Sequence, residues 1–150
     1  MKLTFEIRSL EEEAASASKL LYVPPSEDFT YRSTRVYHLE LEGTEEQAEE
    51  LIRATLLDPI TQVLHVGESP ALFGHVFHLD YGMKTSALDL EKEAILANWR
   101  EMAPEGFEAK NLLVRTRLYL FPAGDSKPSA EDYLRDIVNP AIHTWEVNHV

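Results

Sequence analysis

Leu3, Phe5 and Ile7 alternate with Lys2, Thr4, Glu6 and Arg8, the period-two pattern of a strand with one buried face. Glu11 to Leu21 then carries Ala14, Ala17, Leu20 and Leu21 along one side, which predicts a helix. Pro24 and Pro25 stop it, because proline cannot continue a helix and constrains the residue before it. A loop is expected from Pro24 to Ser33. Alternation returns over Arg35 to Leu41, with Tyr37, Leu39 and Leu41 set against Val36, His38 and Glu40. Gly43-Thr44 ends this strand and opens a helix, Thr44 and Gln47 having capping-box spacing. Ala48, Leu51, Ile52, Thr55 and Leu56 form its apolar face, with Glu45, Glu46, Glu49 and Glu50 toward solvent. Asp58-Pro59 terminates the helix, and Thr61 to Val66 reads as a short strand.

The joint from Gly67 to Gly74 precedes a second round of the same order. His75 to Tyr81 predicts a strand with Phe77 and Leu79 on one face. Ser86 and Asp89 mark a helix start, and Leu88, Ile95, Trp99 and Met102 supply its apolar stripe until Pro104-Glu105-Gly106 breaks it. Leu112 to Phe121 is the longest predicted strand, with Arg115 and Arg117 on the side opposite Leu112, Val114, Leu118 and Leu120. After a loop from Pro122 to Pro128, Ser129 caps a short helix carrying Tyr133, Leu134, Ile137 and Val138, and Ile142 to Val147 is the last strand.

The two rounds share a short motif. Leu56-Leu57-Asp58-Pro59 runs into Val63-Leu64-His65-Val66, and Ile137-Val138-Asn139-Pro140 runs into Thr144-Trp145-Glu146-Val147. Pro59 and Pro140 are 81 positions apart, as are Val66 and Val147. Repetition at a fixed offset is a signature of duplicated architecture. Each half reads β-α-β-α-β, so the expected fold is α+β: two ferredoxin-like units in tandem, residues 1–67 and 75–150, with antiparallel sheets and a pseudo-twofold. A further short strand is expected in each half, around Phe29–Tyr31 and Phe107–Ala109.

Bulk properties narrow the function classes. The 150 residues suit one compact domain or two small ones sharing a core. A net charge of −12 argues against nucleic acid, whose phosphates require a basic face. With no cysteine there is no disulfide framework and no thiolate chemistry. Glu6 and Arg8 interrupt the opening residues, so no signal peptide or membrane span is expected, and the chain reads as soluble and cytoplasmic.

The helix–Asp/Asn–Pro–strand element resembles the small subunit of phosphoribosylformylglycinamidine synthase, whose helix typically ends Leu-Leu-x-Asn-Pro before a Val/Glu-rich strand. Leu56-Leu57-Asp58-Pro59 and Ile137-Val138-Asn139-Pro140 occupy that place. Gly82-Met83 stands in the region of the family's Pro-Gly-Val turn, without the Asp-Pro pair that follows it there. The likeness is to the doubled form of the subunit, as at the N-terminus of large single-chain synthases. It implies a non-catalytic accessory role in purine biosynthesis, with synthetase and glutaminase as partners, self-association possible, and no cofactor or metal on this chain. The glutamine-cleaving cysteine, ATP and substrate belong to other subunits in that family.

The residues themselves leave other readings open. His75 and His78, three apart in a predicted strand, are expected on opposite faces, which discourages a shared metal. His38 and His78 are expected on equivalent strands of the two halves, near Glu40 and Asp80, at an interface between halves or subunits. Arg115 and Arg117, with Lys110 upstream, form either a solvated strand face or a contact for phosphate or an acidic surface. These four residues, His38, His78, Arg115 and Arg117, are the candidate contacts. Trp99 and Trp145 read as core or interface aromatics. An enzyme with a pocket between the halves, or a sensor binding an amino acid or nucleotide at the joint, are the rival classes.

Overall fold

Strand β1 (Lys2–Ser9) pairs antiparallel with β3 (Thr30–Glu42), Phe5 opposite Tyr37 and Leu3 opposite Leu39. Apolar residues thereby meet across the ladder on one face, the contact that sets register. The computed structural model describes residues 1–10 and 13–150. Between these two strands the expected helix from Glu11 to Leu21 is replaced. Glu11 and Glu12 lie outside the described residues; Ala15–Ser16 forms a two-residue strand, β2, against Thr30 and Tyr31, and Ala17–Leu20 is a 3-10 turn. Ser16 is the reason in part, since its hydroxyl donates to Asp28 (2.8 Å), a competing side-chain bond of the kind that draws serine out of helices. Ala17 and Leu21 are still buried, as their apolar spacing required.

Helix α1 (Glu45–Thr55) starts with the expected capping box: Thr44 Oγ1 accepts from the Gln47 N–H (3.1 Å), and Gln47 Oε1 accepts from the Thr44 N–H (3.0 Å). Gly43 precedes it at φ 128°, where a Cβ would stand 2.7 Å from Gln47 Oε1, so both backbone and cap need glycine there. Strand β4 (Gln62–Val66) returns antiparallel to β1, β5 (Phe77–Met83) follows the joint, and α2 spans Leu90–Met102 with Asp89 as its N-cap. Ile95 and Trp99 bury the stripe of α2, but Leu88 and Met102, at and beyond the helix ends, are exposed. Strand β6 (Glu108–Phe121), α3 (Ala130–Ile137) and β7 (His143–His149) complete the chain.

The fold is α+β with a seven-stranded sheet in the order β4-β1-β3-β6-β5-β7, β2 pairing with β3 off this path. Neither extra short strand exists as a separate element. Thr30 and Glu108 instead begin β3 and β6, which run 13 and 14 residues. The loop expected from Pro24 to Ser33 therefore ends four residues early, because Thr30-Tyr31 gain a ladder with Ala15-Ser16.

These long strands each pass through two compact units. The first consists of Met1–Glu11, Arg35–Ala71 and Leu88–Val114; the second of Glu12–Thr34, Leu72–Ala87 and Arg115–Val150. The units cut across the sequence repeat, since α2, from the second round, builds the first core. There Trp99 (2% exposed) packs with Phe5, Leu39, Ile52 and Leu112, and its indole N–H donates to Thr55 Oγ1 (3.0 Å), satisfying the one polar atom the ring buries. The second core gathers Phe77, Leu79, Leu118, Leu120 and Tyr133 with Ala17 and Phe29. Among the described residues no helix is long and apolar enough to cross a membrane.

Candidate functional site

Alternation along β5 and β6 sends His78, Asp80, Arg117 and Tyr119 to the sheet face opposite the second core. Register then sets Asp80 against Arg117 and His78 against Tyr119. Arg117 Nε donates to Asp80 Oδ1 at 2.7 Å and Nη2 to Oδ2 at 2.8 Å, while His78 Nδ1 lies 3.3 Å from Oδ1. Asp80 is 3% exposed and Arg117 5%. Burial pushes the Asp80 carboxyl up, but the bonds and charges of Arg117 and His78 outweigh it and bring the group down to about 2. A carboxylate held so low, with both oxygens engaged, does not serve as a proton acceptor near neutrality. Its chemistry is that of a clamp between β5 and β6.

Arg117 thus departs from the solvated face expected for it. His75 joins the same group, its ring 5.7 Å from that of His78 and edge-on to Tyr119 at 4.8 Å. The opposite-face expectation fails because β5 begins at Phe77, leaving His75 outside the alternation. Among the described residues no group of three or more His, Asp or Glu side chains is arranged to hold a metal ion.

Arg115 is half-buried and reaches sideways: Nη2 donates to Thr144 Oγ1 (3.1 Å). It follows the Tyr81–Thr116 pair in register, beside Gly82, and Gly82 in turn pairs with Thr144. With no side chain on Gly82, the guanidinium can cross β5 to β7. Lys110, the third cation of this strand, is bound to Glu108 (3.1 Å) and Glu42 (3.5 Å).

His38 stands in the first unit, on the face of β3 away from the core, opposite Thr4. Thr4 Oγ1 and His38 Nδ1 share a hydrogen bond of 3.1 Å. With Lys2, Glu40, Glu68 and Asn111 they line a shallow cleft of about 220 Å3. His38 and Glu40 line one cleft of the first unit, and His78 lies against Asp80 in the second. His38 and His78 are not equivalent, however. The 81-residue offset places His38 on Tyr119 of β6, not on β5.

Glu6 is a buried group that the pattern does not reveal; it is 1% exposed, and its Oε1 accepts from the Ala71 N–H (3.1 Å). In sequence it is one polar position of an alternating strand like any other. Trp145, on β7, is 44% exposed rather than core.

The repeated motif builds two matching corners. Asp58 Oδ1 accepts from the Ile60 N–H (2.9 Å), and Asn139 Oδ1 from the Ala141 N–H (3.0 Å). The Asp58 N–H donates to Gln62 Oε1 (2.8 Å), and the Asn139 N–H to His143 Nδ1 (3.0 Å). The Gln62 and His143 N–H groups then bond back to the Asp58 and Asn139 carbonyls at 2.9 and 2.8 Å. Each is an Asx turn with proline second. The bond from the Ile60 N–H, then others from Thr61, hold the exposed Asp58 carboxyl below its ordinary value.

No family model, curated protein or solved structure matches the chain.

Proposed function

We propose that the chain is the doubled small subunit of a phosphoribosylformylglycinamidine synthase, an accessory protein that breaks no bond itself and brings synthetase and glutaminase together. One observation carries the reading: the helix–Asx–Pro–strand corner recurs bond for bond at the 81-residue offset. That is the element on which the resemblance to this family rests, and here it is duplicated.

The strand order supports the tandem ferredoxin-like part of the proposal. The first unit orders its strands β4-β1-β3-β6, and the second β7-β5-β6-β3. Numbered by role, each is 4-1-3-2, with α1 or α3 leading into the edge strand. The strand that seemed to be missing from each half is then the other half's long strand. In the first unit α2 and the start of β6 fill that place; in the second, residues 13–34 do so, with the 3-10 turn Ala17–Leu20 where a helix would stand.

The chemistry of the buried charges fits an accessory role, since Asp80 and Arg117 neutralise each other inside the fold. For docking, β4 and β7 end the strand order, and an open strand edge is a common seat for partner chains. The test is capture on the tagged chain from native lysate of its source, read by mass spectrometry. Recovery of the synthetase with a class-I glutaminase, strengthened by ATP or glutamine, is the expected result. Recovery of the chain alone would overturn the assignment.

A further inference from the structure

Among the described residues β7 pairs with β5 alone and ends the strand order of the second unit. The bonds that flank this ladder fix its phase. The Lys84 N–H donates to the Ile142 carbonyl (2.8 Å), and the Val150 N–H to the Val76 carbonyl (3.1 Å). Both fall on the register that runs unbroken from Met83–His143 to Phe77–His149. Hydrogen-bonded pairs alternate along an antiparallel ladder. Thr144, Glu146 and Asn148 therefore turn their backbone groups to β5, while Trp145, Val147 and His149 turn theirs away from the sheet. Open edges are normally blunted by lysine, proline or a bulge, and β7 has none of the three. By the same phase argument β4, the edge strand of the first unit, offers less. It is five residues long, and its outward Gln62 N–H is already given to the Asp58 carbonyl (2.9 Å).

The β7 edge is complementary to itself. A second β7 laid antiparallel, with Val147 on Val147, sets Trp145 against His149 and Glu146 against Asn148 on both sides of the axis. Each outward residue then exchanges two backbone bonds with its opposite number. Trp145, 44% exposed in the single chain, gains a ring to pack on. The neighbouring registers are worse. Centring the axis on Glu146 puts two carboxylates directly opposite, which destabilises a strand pair. Centring it on Trp145 sets Val147 against His143, whose N–H is already given to the Asn139 carbonyl (2.8 Å). We infer that β7 seats the β7 of a second copy of this chain, in a C2 dimer whose axis passes at Val147. A ladder this short buries less than the roughly 1,200 Å2 of stable complexes, so the dimer is a reversible one. Copies carrying −12 each repel at a distance, and salt screens that repulsion while sparing backbone and apolar contacts.

Sedimentation equilibrium of the purified full chain, from micromolar to millimolar concentration, tests this. The expected result is a reversible passage from 17.1 kDa to twice that mass, tightened by added salt. Trp145→Lys gives the edge a charge at an exposed position, and Val147→Pro removes an N–H that β5 does not use. Each should raise the dimer Kd about tenfold or more. Circular dichroism checks that both variants fold, and Trp145→Lys carries the test alone if Val147→Pro does not. The chain has no cysteine, so single cysteines read the register. Val147→Cys should oxidise to a linked dimer, because a hydrogen-bonded pair holds its Cα atoms about 5.5 Å apart, within disulfide reach. Trp145→Cys, whose two copies stand four positions out of step, should link about tenfold more slowly or not at all. A chain that stays monomeric at every concentration would overturn the proposal and leave the edge to a strand of a different protein. A dimer weakened by salt, one unmoved by substitution, or faster linking through Trp145→Cys would overturn it as well. None of these outcomes depends on whether the chain captures a synthetase.

Discussion

Replacing Arg117 by methionine should invert the pH dependence of stability. In the native protein Asp80 falls from its ordinary 3.8 to about 2. At roughly 1.4 kcal/mol per pKa unit this is on the order of 2 kcal/mol of stability. Because the folded value is the lower one, that contribution is complete above pH 4 and is lost as the pH falls toward 2. In Arg117→Met the carboxylate keeps its burial, at 3% exposure, and its long 3.3 Å contact with His78, but loses its bidentate partner; the His78 contact alone is weaker than the burial, which now pushes the group above its unfolded value. The contribution then changes sign: the variant is most stable in acid, where Asp80 is protonated, and loses stability as the pH rises. At pH 7 the expected cost is about 3–5 kcal/mol, the usual result of orphaning one member of a buried pair. The double variant Asp80→Leu/Arg117→Met removes both charges and should lie within about 2 kcal/mol of the native protein. Urea denaturation from pH 3 to pH 8, followed by circular dichroism, measures all three. A single-variant cost below about 1 kcal/mol at pH 7, or a double variant as unstable as the sum of the singles, would refute the clamp.

Trp99→Ala should cost about 3–5 kcal/mol, by cavity formation and by removal of the indole–Thr55 bond, and should abolish the buried component of tryptophan fluorescence while leaving that of Trp145. Thr44→Ala breaks one arm of the capping box and should lower stability by about 1 kcal/mol in urea melts. Asp58→Ala and Asn139→Ala should each cost about 1 kcal/mol, and the two costs should agree, because the corners make the same bonds. Pro59→Ala and Pro140→Ala should each destabilise by about 0.5–1 kcal/mol through the freer unfolded chain, with melting temperature as the readout.

Much of the fold was legible where local chemistry decides it. Thr44 and Gln47 announced their capping box and the Asx-Pro pairs their corners, because each of these bonds joins residues within four positions; α2 by contrast is capped by Asp89, three residues past the expected start at Ser86. What escaped was long-range. Nothing near Ala15 or Ser16 tells that Tyr31 and Thr30 will recruit them into a ladder, so a helix was the natural reading of Glu11 to Leu21. The alternation along β6 correctly separated Arg117 from Leu118, yet not its burial, which depends on Asp80 some 37 residues earlier. His75 and Glu6 entered buried positions for the same kind of reason. That α2 serves the first core is likewise invisible to a repeat read along the chain, because a repeat fixes which elements are equivalent and not which core each one enters.

The accessory role is tested most directly by reconstituting amidine formation from purified synthetase and glutaminase, with and without this chain, using glutamine or ammonia as the nitrogen source. The account predicts that glutamine-dependent turnover requires the chain while ammonia-dependent turnover proceeds without it. Equal glutamine-dependent rates in its presence and absence would contradict the assignment.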